Sequence, residues 1–409
     1  MLKYKFLRLL LKSALFILLI LPTITTNTKA MGISASCSHP IPSGTYVFCV
    51  SQQGVLAYRP IESKGCAGFA CRLYRSLRLG MEFSPVTAFS SVNAIFAGPV
   101  AVGVGSGTGA TAFVWAQRNG ESKFALYATA DAGATWRKVP DTETRNPCSP
   151  YRVIPDILNP AKAYLFPVPS GEAAIPLRHF WETRDGGRTW QSRSLPGKIP
   201  PADGFFFNPA DLRKIWVWCG SMGNWTGVQY SEDGGLTWQP LKILAENRIY
   251  GAILNPYTGE IIVTGRKVIS RWYKGKGEDL RGKGGISEKT DFVAGPPILD
   301  PLQKEVLVPV FKYEEKGGVS GAVYSCRSGE VEKIAVVPPI HGDPVYAFLS
   351  EGRLYLSFVN FEGPGQVLEY ALLRQTAPHL WLGVGVGVAL LCGGFLLLRE
   401  WKVKKRRRD

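Results

Sequence analysis

From residue 31 to residue 378 the chain alternates short apolar stretches with polar turn signals, and no long amphipathic helical pattern interrupts them. Ala163-Tyr164-Leu165-Phe166, Lys214-Ile215-Trp216-Val217-Trp218 and Arg353-Leu354-Tyr355-Leu356-Ser357-Phe358 are of strand length, rich in aromatic and aliphatic side chains. Each is bounded by Gly, Pro, Asn or Asp, which is how many short strands joined by turns are written in sequence.

Two apolar stretches stand outside this pattern. Ala14 to Leu21 follows Lys3, Lys5, Arg8 and Lys12 and leads to Thr28-x-Ala30. A basic start, an apolar middle and a small-residue cleavage site predict a secretory signal peptide over residues 1–30. Leu380 to Leu398 carries no charge and is long enough to span a bilayer as a helix, which predicts a transmembrane segment over residues 379–398. Arg399, Lys402 and the run from Lys404 to Arg408 follow it. Positive charge stays inside, so residues 399–409 are expected in the cytoplasm and residues 31–378 outside, in the periplasm or at the cell surface. Membrane contact through the C-terminal helix is thus the first expected partnership.

Between these ends the chain repeats itself. Thr129-x-Asp131-x-Gly133-x-Thr135-Trp136, Thr183-x-Asp185-x-Gly187-x-Thr189-Trp190 and Ser231-x-Asp233-x-Gly235-x-Thr237-Trp238 are three copies of one pattern, with Asp spacings of 54 and 48 residues. A turn accounts for every position: hydroxyl and carboxylate cap amides, Gly takes a positive φ, and Trp re-enters a strand to pack in the interior. A second signal keeps the same period. Asn159-Pro160, Asn208-Pro209, Asn255-Pro256 and Asp300-Pro301 recur every 45 to 49 residues, and Asx-Pro opens a turn. Register then predicts weakened box copies at Ser76-x-Arg78-x-Gly80, around Leu280 and Gly282, and at Ser325-x-Arg327-x-Gly329. A last unit begins at Asp343-Pro344, and a strand around Thr45 to Phe48 is expected to close the ring.

The eight-residue pattern resembles the Asp-box (BNR) repeat of sialidase-like β-propellers. That resemblance implies an all-β propeller of four-stranded blades, seven by this count and six as the alternative. It also implies that Thr129, Asp131, Gly133, Trp136, Thr183, Asp185, Gly187, Trp190, Ser231, Asp233, Gly235 and Trp238 are structural. Gly103 to Gly109 and Lys274 to Gly285 read as loops interrupting the repeat, where specificity is expected to sit.

Composition narrows the function classes. The formal charge of +16 falls to +6 once residues 1–30 and 399–409 are set aside, so nucleic-acid binding is not indicated. In an oxidising exterior, spacing makes Cys66 with Cys71 the first candidate disulfide, then Cys37 with Cys49, then Cys148 with Cys219. The four histidines are scattered and no CxxC occurs, so no metal and no cofactor are expected. Gly103-x-Gly105-x-Gly107-x-Gly109 lacks the Lys-Ser/Thr end and the helix that phosphate cradles need.

Sialidases resembling this fold use three carboxylate-binding arginines, a Tyr paired with a Glu, and an acid/base Asp. By order along the chain Arg59, Arg248 and Arg353 supply the arginines, Tyr355 the nucleophile and Glu246 its partner. No Asp precedes Asp131, which belongs to a box, so the general acid has no candidate. The expected function is a binding or assembly platform for a protein or glycan at the propeller loops, as in noncatalytic members similar to photosystem assembly factors and sortilin-type receptors. An exo-sialidase-like hydrolase is the alternative.

Overall fold

A computed structural model describes residues 37–60, 70–93, 100–102, 111–143, 151–156, 158–159, 161–167, 175–219, 226–241, 248–287, 292–315, 318–350 and 352–372. They form an all-β propeller of seven blades. Blade 1 is Tyr46–Ser51, Gly54–Pro60, Ala70–Ser76 and Ser84–Pro85. Blade 2 opens with Phe89–Asn93 and Val100–Val102 and continues through Thr111–Arg118, Phe124–Thr129 and Arg137–Lys138. Blade 3 is Tyr151–Pro155, Ala163–Pro167, Phe180–Thr183 and Gln191–Arg193. Blade 4 is Gly204–Asn208, Asp211–Cys219, Gly227–Ser231 and Gln239–Pro240. Blade 5 is Ile249–Asn255, Glu260–Gly265, Val268–Tyr273 and Lys276–Asp279. Blade 6 opens with Val293–Ala294 and Ile298–Asp300, followed by Glu305–Glu314, Gly318–Arg327 and Glu330–Ile340.

Blade 7 closes the ring. Asp343–Ser350, Arg353–Val359 and Gly365–Ala371 take Cys37–Ile41 as their outer strand, Cys37 opposite Glu369 and Ile41 opposite Gly365. The expected closing strand around Thr45 to Phe48 is therefore misplaced: Tyr46–Ser51 is the first strand of blade 1, and closure comes from the segment before it. Joining the first and last strands of the propeller in one sheet completes the ring and leaves only short outer edges.

First strands of neighbouring blades touch one another, blade 1 with 2 and 7, blade 2 with 3, blade 4 with 5, blade 5 with 6 and blade 6 with 7. They therefore line the axis. The core is a ring of layers between blades, and it explains the unbroken apolar runs of the second strands. In Thr111–Arg118, Ala112, Val114 and Ala116 pack toward blade 1, while Phe113 and Trp115 pack toward blade 3. In Ala163–Pro167, Leu165 faces blade 2 and Tyr164 and Phe166 face blade 4. Both faces of a middle strand are buried, so its sequence does not alternate with polar residues.

The Asx-Pro repeat falls where the first strand turns into the second. Asn159, Asn208, Asn255 and Asp300 each accept, through a side-chain oxygen, the amide hydrogen bond of the residue two further on, at 2.9 to 3.1 Å. The boxes fall where the third strand turns into the fourth. Ser76-x-Arg78-x-Gly80 occupies that place in blade 1, with Gly80 at φ +80° and the Ser76 hydroxyl donating to the Arg78 carbonyl. Blades 5 and 6 differ from the expected weakened boxes. Their third and fourth strands are joined by the short turns Lys274-Gly275 and Ser328-Gly329, all four residues at positive φ. Leu280 and Gly282 lie beyond the fourth strand of blade 5. Lys274 to Gly285 is accordingly not a loop insertion, since it contains that strand, Lys276–Asp279, and buried Leu280. Blades 5 and 6 are tied across their seam by Glu260, whose Oε2 accepts hydrogen bonds from the Thr258 hydroxyl and from the Ser328 amide of blade 6.

Among the described residues no helix is long and apolar enough to cross a membrane. Residues 1–30, 379–398 and 399–409, the expected signal peptide, membrane helix and tail, lie outside them, as does Gly103 to Gly109. The expected Cys37 to Cys49 disulfide does not form. Cys37 is exposed on the outermost strand of blade 7, whereas Cys49 is buried with Phe48 and Leu56, and both carry free thiols. Burial pushes the Cys49 thiol up to about 12. Cys66 and Cys148, each half of another expected pair, lie outside the described residues, while Cys71 and Cys219 are both buried.

Candidate functional site

The boxes are built as turns. In blade 3 the Thr183 hydroxyl accepts the Gly187 amide at 2.8 Å and donates to Asp185 Oδ1 at 2.9 Å. Asp185 Oδ1 also accepts the Thr189 amide at 2.8 Å, and Oδ2 the Thr189 hydroxyl at 2.7 Å. Thr129 with Asp131 and Gly133, and Ser231 with Asp233 and Gly235, repeat these bonds. Burial raises the Asp131 and Asp185 carboxyls, and the bonds they accept more than offset it, leaving both below the ordinary value. At Asp233 the Thr237 hydroxyl leads, followed by the Thr237 amide and the Ser231 hydroxyl, and holds the carboxyl at about 2. Each carboxylate oxygen accepts at least one hydrogen bond from its own turn.

The box glycines also set the spacing of the blades. A Cβ on Gly133 would meet Leu56 of blade 1 at 2.6 Å, and one on Gly187 would meet Phe113 of blade 2 at 2.8 Å. The box tryptophans were expected to be buried. Trp136, Trp190 and Trp238 are half-buried, each packed against the edge of a core layer.

Strand direction separates the arginines. First strands run from one face of the disc to the other, and second strands return. Arg59 lies near the end of the second strand of blade 1, and Arg248 just before the first strand of blade 5, which places both on the face where first strands begin. Arg353 opens the second strand of blade 7 next to the Ser350 turn, on the opposite face. Arg59 is already held by the Thr45 hydroxyl at 2.7 Å and lies over the Tyr74 ring, and Arg353 pairs with Glu369. Tyr355 is buried, stacked on Phe348 with 5.5 Å between ring centroids. Glu246 lies outside the described residues. The structure thus brings Arg59 and Arg248 to one face and does not bring Arg353 to them.

A different feature stands at the mouth of the ring. On the face where first strands begin, blades 5, 6 and 7 enclose an open cavity of about 330 Å³ walled by Tyr250, Phe311, Tyr313 and Tyr346 with Pro296, Pro309 and Pro344. No carboxylate, amine, imidazole or thiol belongs to this wall. Tyr250 and Tyr313 are exposed. Gly251 has no side chain, which lets Pro297 come within 2.8 Å of where its Cβ would stand, so blades 5 and 6 close up beneath the cavity. The aromatic surface continues past it: the Tyr346 hydroxyl meets that of Tyr58 at 2.9 Å, Tyr58 stacks on Tyr46 at 4.9 Å, and Tyr46 meets the edge of exposed Phe361. Burial raises the Tyr346 phenol above its ordinary value. None of these residues stands out in the sequence, because they come from four blades; the one signal is that prolines and tyrosines recur together near the starts of the last blades.

The family described as BNR/Asp-box repeat matches residues 229–240, which hold the third box. No curated protein matches the chain in sequence. Similar solved structures include a GH74 enzyme of Niastella koreensis, at 14% identity and TM-score 0.45, covering 82% of this chain and 53% of its own. This chain therefore spans about half the length of that enzyme. The β-propeller domain of the Trilobed protease from Pyrococcus furiosus is similar at 11% identity and TM-score 0.45, with 80% and 95% covered. A chain of a Mitotic Checkpoint Complex is similar at 12% identity and TM-score 0.48, with 85% and 94% covered. At these identities none of them assigns an activity here. The chain is a β-propeller carrying BNR/Asp-box repeats.

Proposed function

We propose that this protein is a membrane-anchored, extracytoplasmic propeller that serves as a binding or assembly platform for a protein or glycan. The carrying observation is the uncharged aromatic and proline wall at the mouth of the ring. Glycoside cleavage needs two carboxyl groups flanking one bond, and a sialidase needs guanidinium forks converging on one carboxylate. The cavity wall offers neither, and Arg353 belongs to the other face. Rigid aromatic side chains at low conformational cost are instead what binding surfaces use. The basic, apolar N-terminal segment and the uncharged Leu380 to Leu398 followed by a basic tail support export and anchoring.

The full-length protein tests this reading in two assays. Fluorogenic sialosides are expected to stay uncleaved through the acidic and neutral range, and hydrolysis lost in Tyr355→Phe and Arg353→Ala would replace the platform by the hydrolase. Protease added to intact cells or spheroplasts is expected to digest the propeller and spare an epitope placed after Arg408; a protected propeller would overturn the orientation.

A further inference from the structure

Resting on the platform reading, we propose that the cavity between blades 5, 6 and 7 takes a proline-rich, extended peptide carrying an arginine or lysine beside its prolines. Three observations converge on this ligand. The rings of Tyr250, Phe311, Tyr313 and Tyr346 line a volume of about 330 Å³. That is the small end of ligand cavities, roughly 300 to 1,000 Å³, and suits a short length of polyproline II helix, at three residues per turn and about 3.1 Å per residue. Aromatic-lined grooves recognise such segments because the ligand is already ordered.

The second observation is the polarity of the wall. The Tyr250 and Tyr313 hydroxyls have no hydrogen-bond partner among the described residues. Burial first, then the Asp343 carboxylate and Tyr250, raise the Tyr313 phenol, so it is a neutral donor. A polyproline II backbone has unpaired carbonyls to accept from such donors, and proline has no N–H to satisfy in return. Among the side chains of the wall only the tyrosine hydroxyls can accept a hydrogen bond, whereas a sugar presents many hydroxyls that donate as well as accept.

The third observation is charge. Asp343 opens the first strand of blade 7, is exposed, and has no cation partner among the described residues. It is close enough to raise both Tyr313 and Tyr46. A lone carboxylate between aromatic rings is a place for a guanidinium or ammonium group, which gains from the ring faces as well as the charge. This position gives the peptide its basic residue.

The test uses the full-length protein and a fluorescein-labelled peptide of Pro-Pro-Arg repeats, read by anisotropy. Two control peptides replace proline by serine or arginine by glutamine. Tyr313 is 55% exposed, so Tyr313→Ala keeps the fold. It is expected to weaken the Pro-Pro-Arg peptide by about tenfold or more, as loss of an aromatic anchor does. Asp343→Asn is expected to weaken the arginine peptide and leave the glutamine peptide unchanged. Equal binding of the serine peptide, or indifference to both substitutions, would overturn the assignment. A soluble oligosaccharide bound in place of the peptide and lost in Tyr313→Ala would overturn it too while upholding the platform. Retention of neither probe defeats the peptide assignment alone, since the platform stands or falls on the hydrolysis and topology assays.

Discussion

Replacing Gly187 by alanine measures what a box contributes to the seam between two blades. Gly187 has φ +82°, and an added Cβ would stand 2.8 Å from Phe113 and 2.9 Å from the Ala128 side chain, both buried in blade 2. Left-handed backbone costs an L-residue roughly 1–2 kcal/mol, and overpacking a filled core costs about 1–3 kcal/mol more. Gly120 supplies the control, because its φ is +81° and nothing lies within 4 Å of its would-be Cβ. Gly120→Ala should therefore cost about 1–2 kcal/mol, and Gly187→Ala about 2–5 kcal/mol. The difference belongs to the seam. Urea unfolding of the two variants beside the parent protein, followed by tryptophan fluorescence, gives it as a shift of midpoint at constant slope. If the two substitutions shift the midpoint equally, the box is a local turn only and does not space the blades.

The box carboxylates set a pH limit. Asp233 falls from an ordinary 3.8 to about 2 in the folded chain, so its contribution is complete above the unfolded value and is lost as pH falls through the folded one. Melting scans should show stability declining below about pH 4, and a triple Asp131→Asn, Asp185→Asn, Asp233→Asn variant should flatten that decline; an unchanged acid limb would refute it. Cys37 should react with a thiol reagent in the native protein while Cys49 and Cys326, whose thiols burial pushes up to about 12, react only on unfolding; protection of Cys37 would contradict the exposed closing strand. Glu260→Ala takes one of two carboxylates from Arg271, which keeps Glu278 at 2.9 Å, and removes the acceptor of the Thr258 hydroxyl and the Ser328 amide, and should cost about 1–3 kcal/mol. Thermal unfolding checks it, and a neutral result would mean that blades 5 and 6 do not depend on that tie.

Repeats were legible because each is a local turn whose chemistry is written in consecutive residues. Thr183, Asp185, Gly187 and Thr189 cap one another within a single turn, so spacing alone revealed them. The Asx-Pro turns were legible for the same reason. Blades 5 and 6 misled because a short turn at positive φ does the box's work with other residues, Lys274-Gly275 and Ser328-Gly329, and leaves no Asp to align. Closure misled because it depends on which of two adjacent segments, Cys37–Ile41 or Tyr46–Ser51, meets Gly365–Ala371, and neither has a local signature for that choice. Candidate site residues suffered most. Arg59, Arg248 and Arg353 were grouped by order along the chain, and order does not say which face a residue reaches; the direction of its strand does. The cavity was illegible because Tyr250, Tyr313 and Tyr346 become neighbours only once three blades are set side by side.

The two faces of the disc thus carry different chemistry for one geometric reason. Box turns and Asx-Pro turns both lie where first and third strands end, and their side-chain hydrogen bonds run between residues two to four apart, as from the Gly187 amide to Thr183 or the Ala210 amide to Asn208. A turn whose caps are that local has a fixed length, because an added residue parts donor from acceptor. The opposite face is joined by longer connections, such as those from Pro167 to Phe180, Cys219 to Gly227 and Asp279 to Val293. Connecting loops on a rigid scaffold are where binding residues concentrate. Tyr250, Tyr346 and Asp343, on first strands, and Tyr313, near the end of the second strand of blade 6, all stand on that face. The proposed platform draws on both halves of this arrangement: one face fixed by its own turns and one whose longer connections can be fitted to a partner.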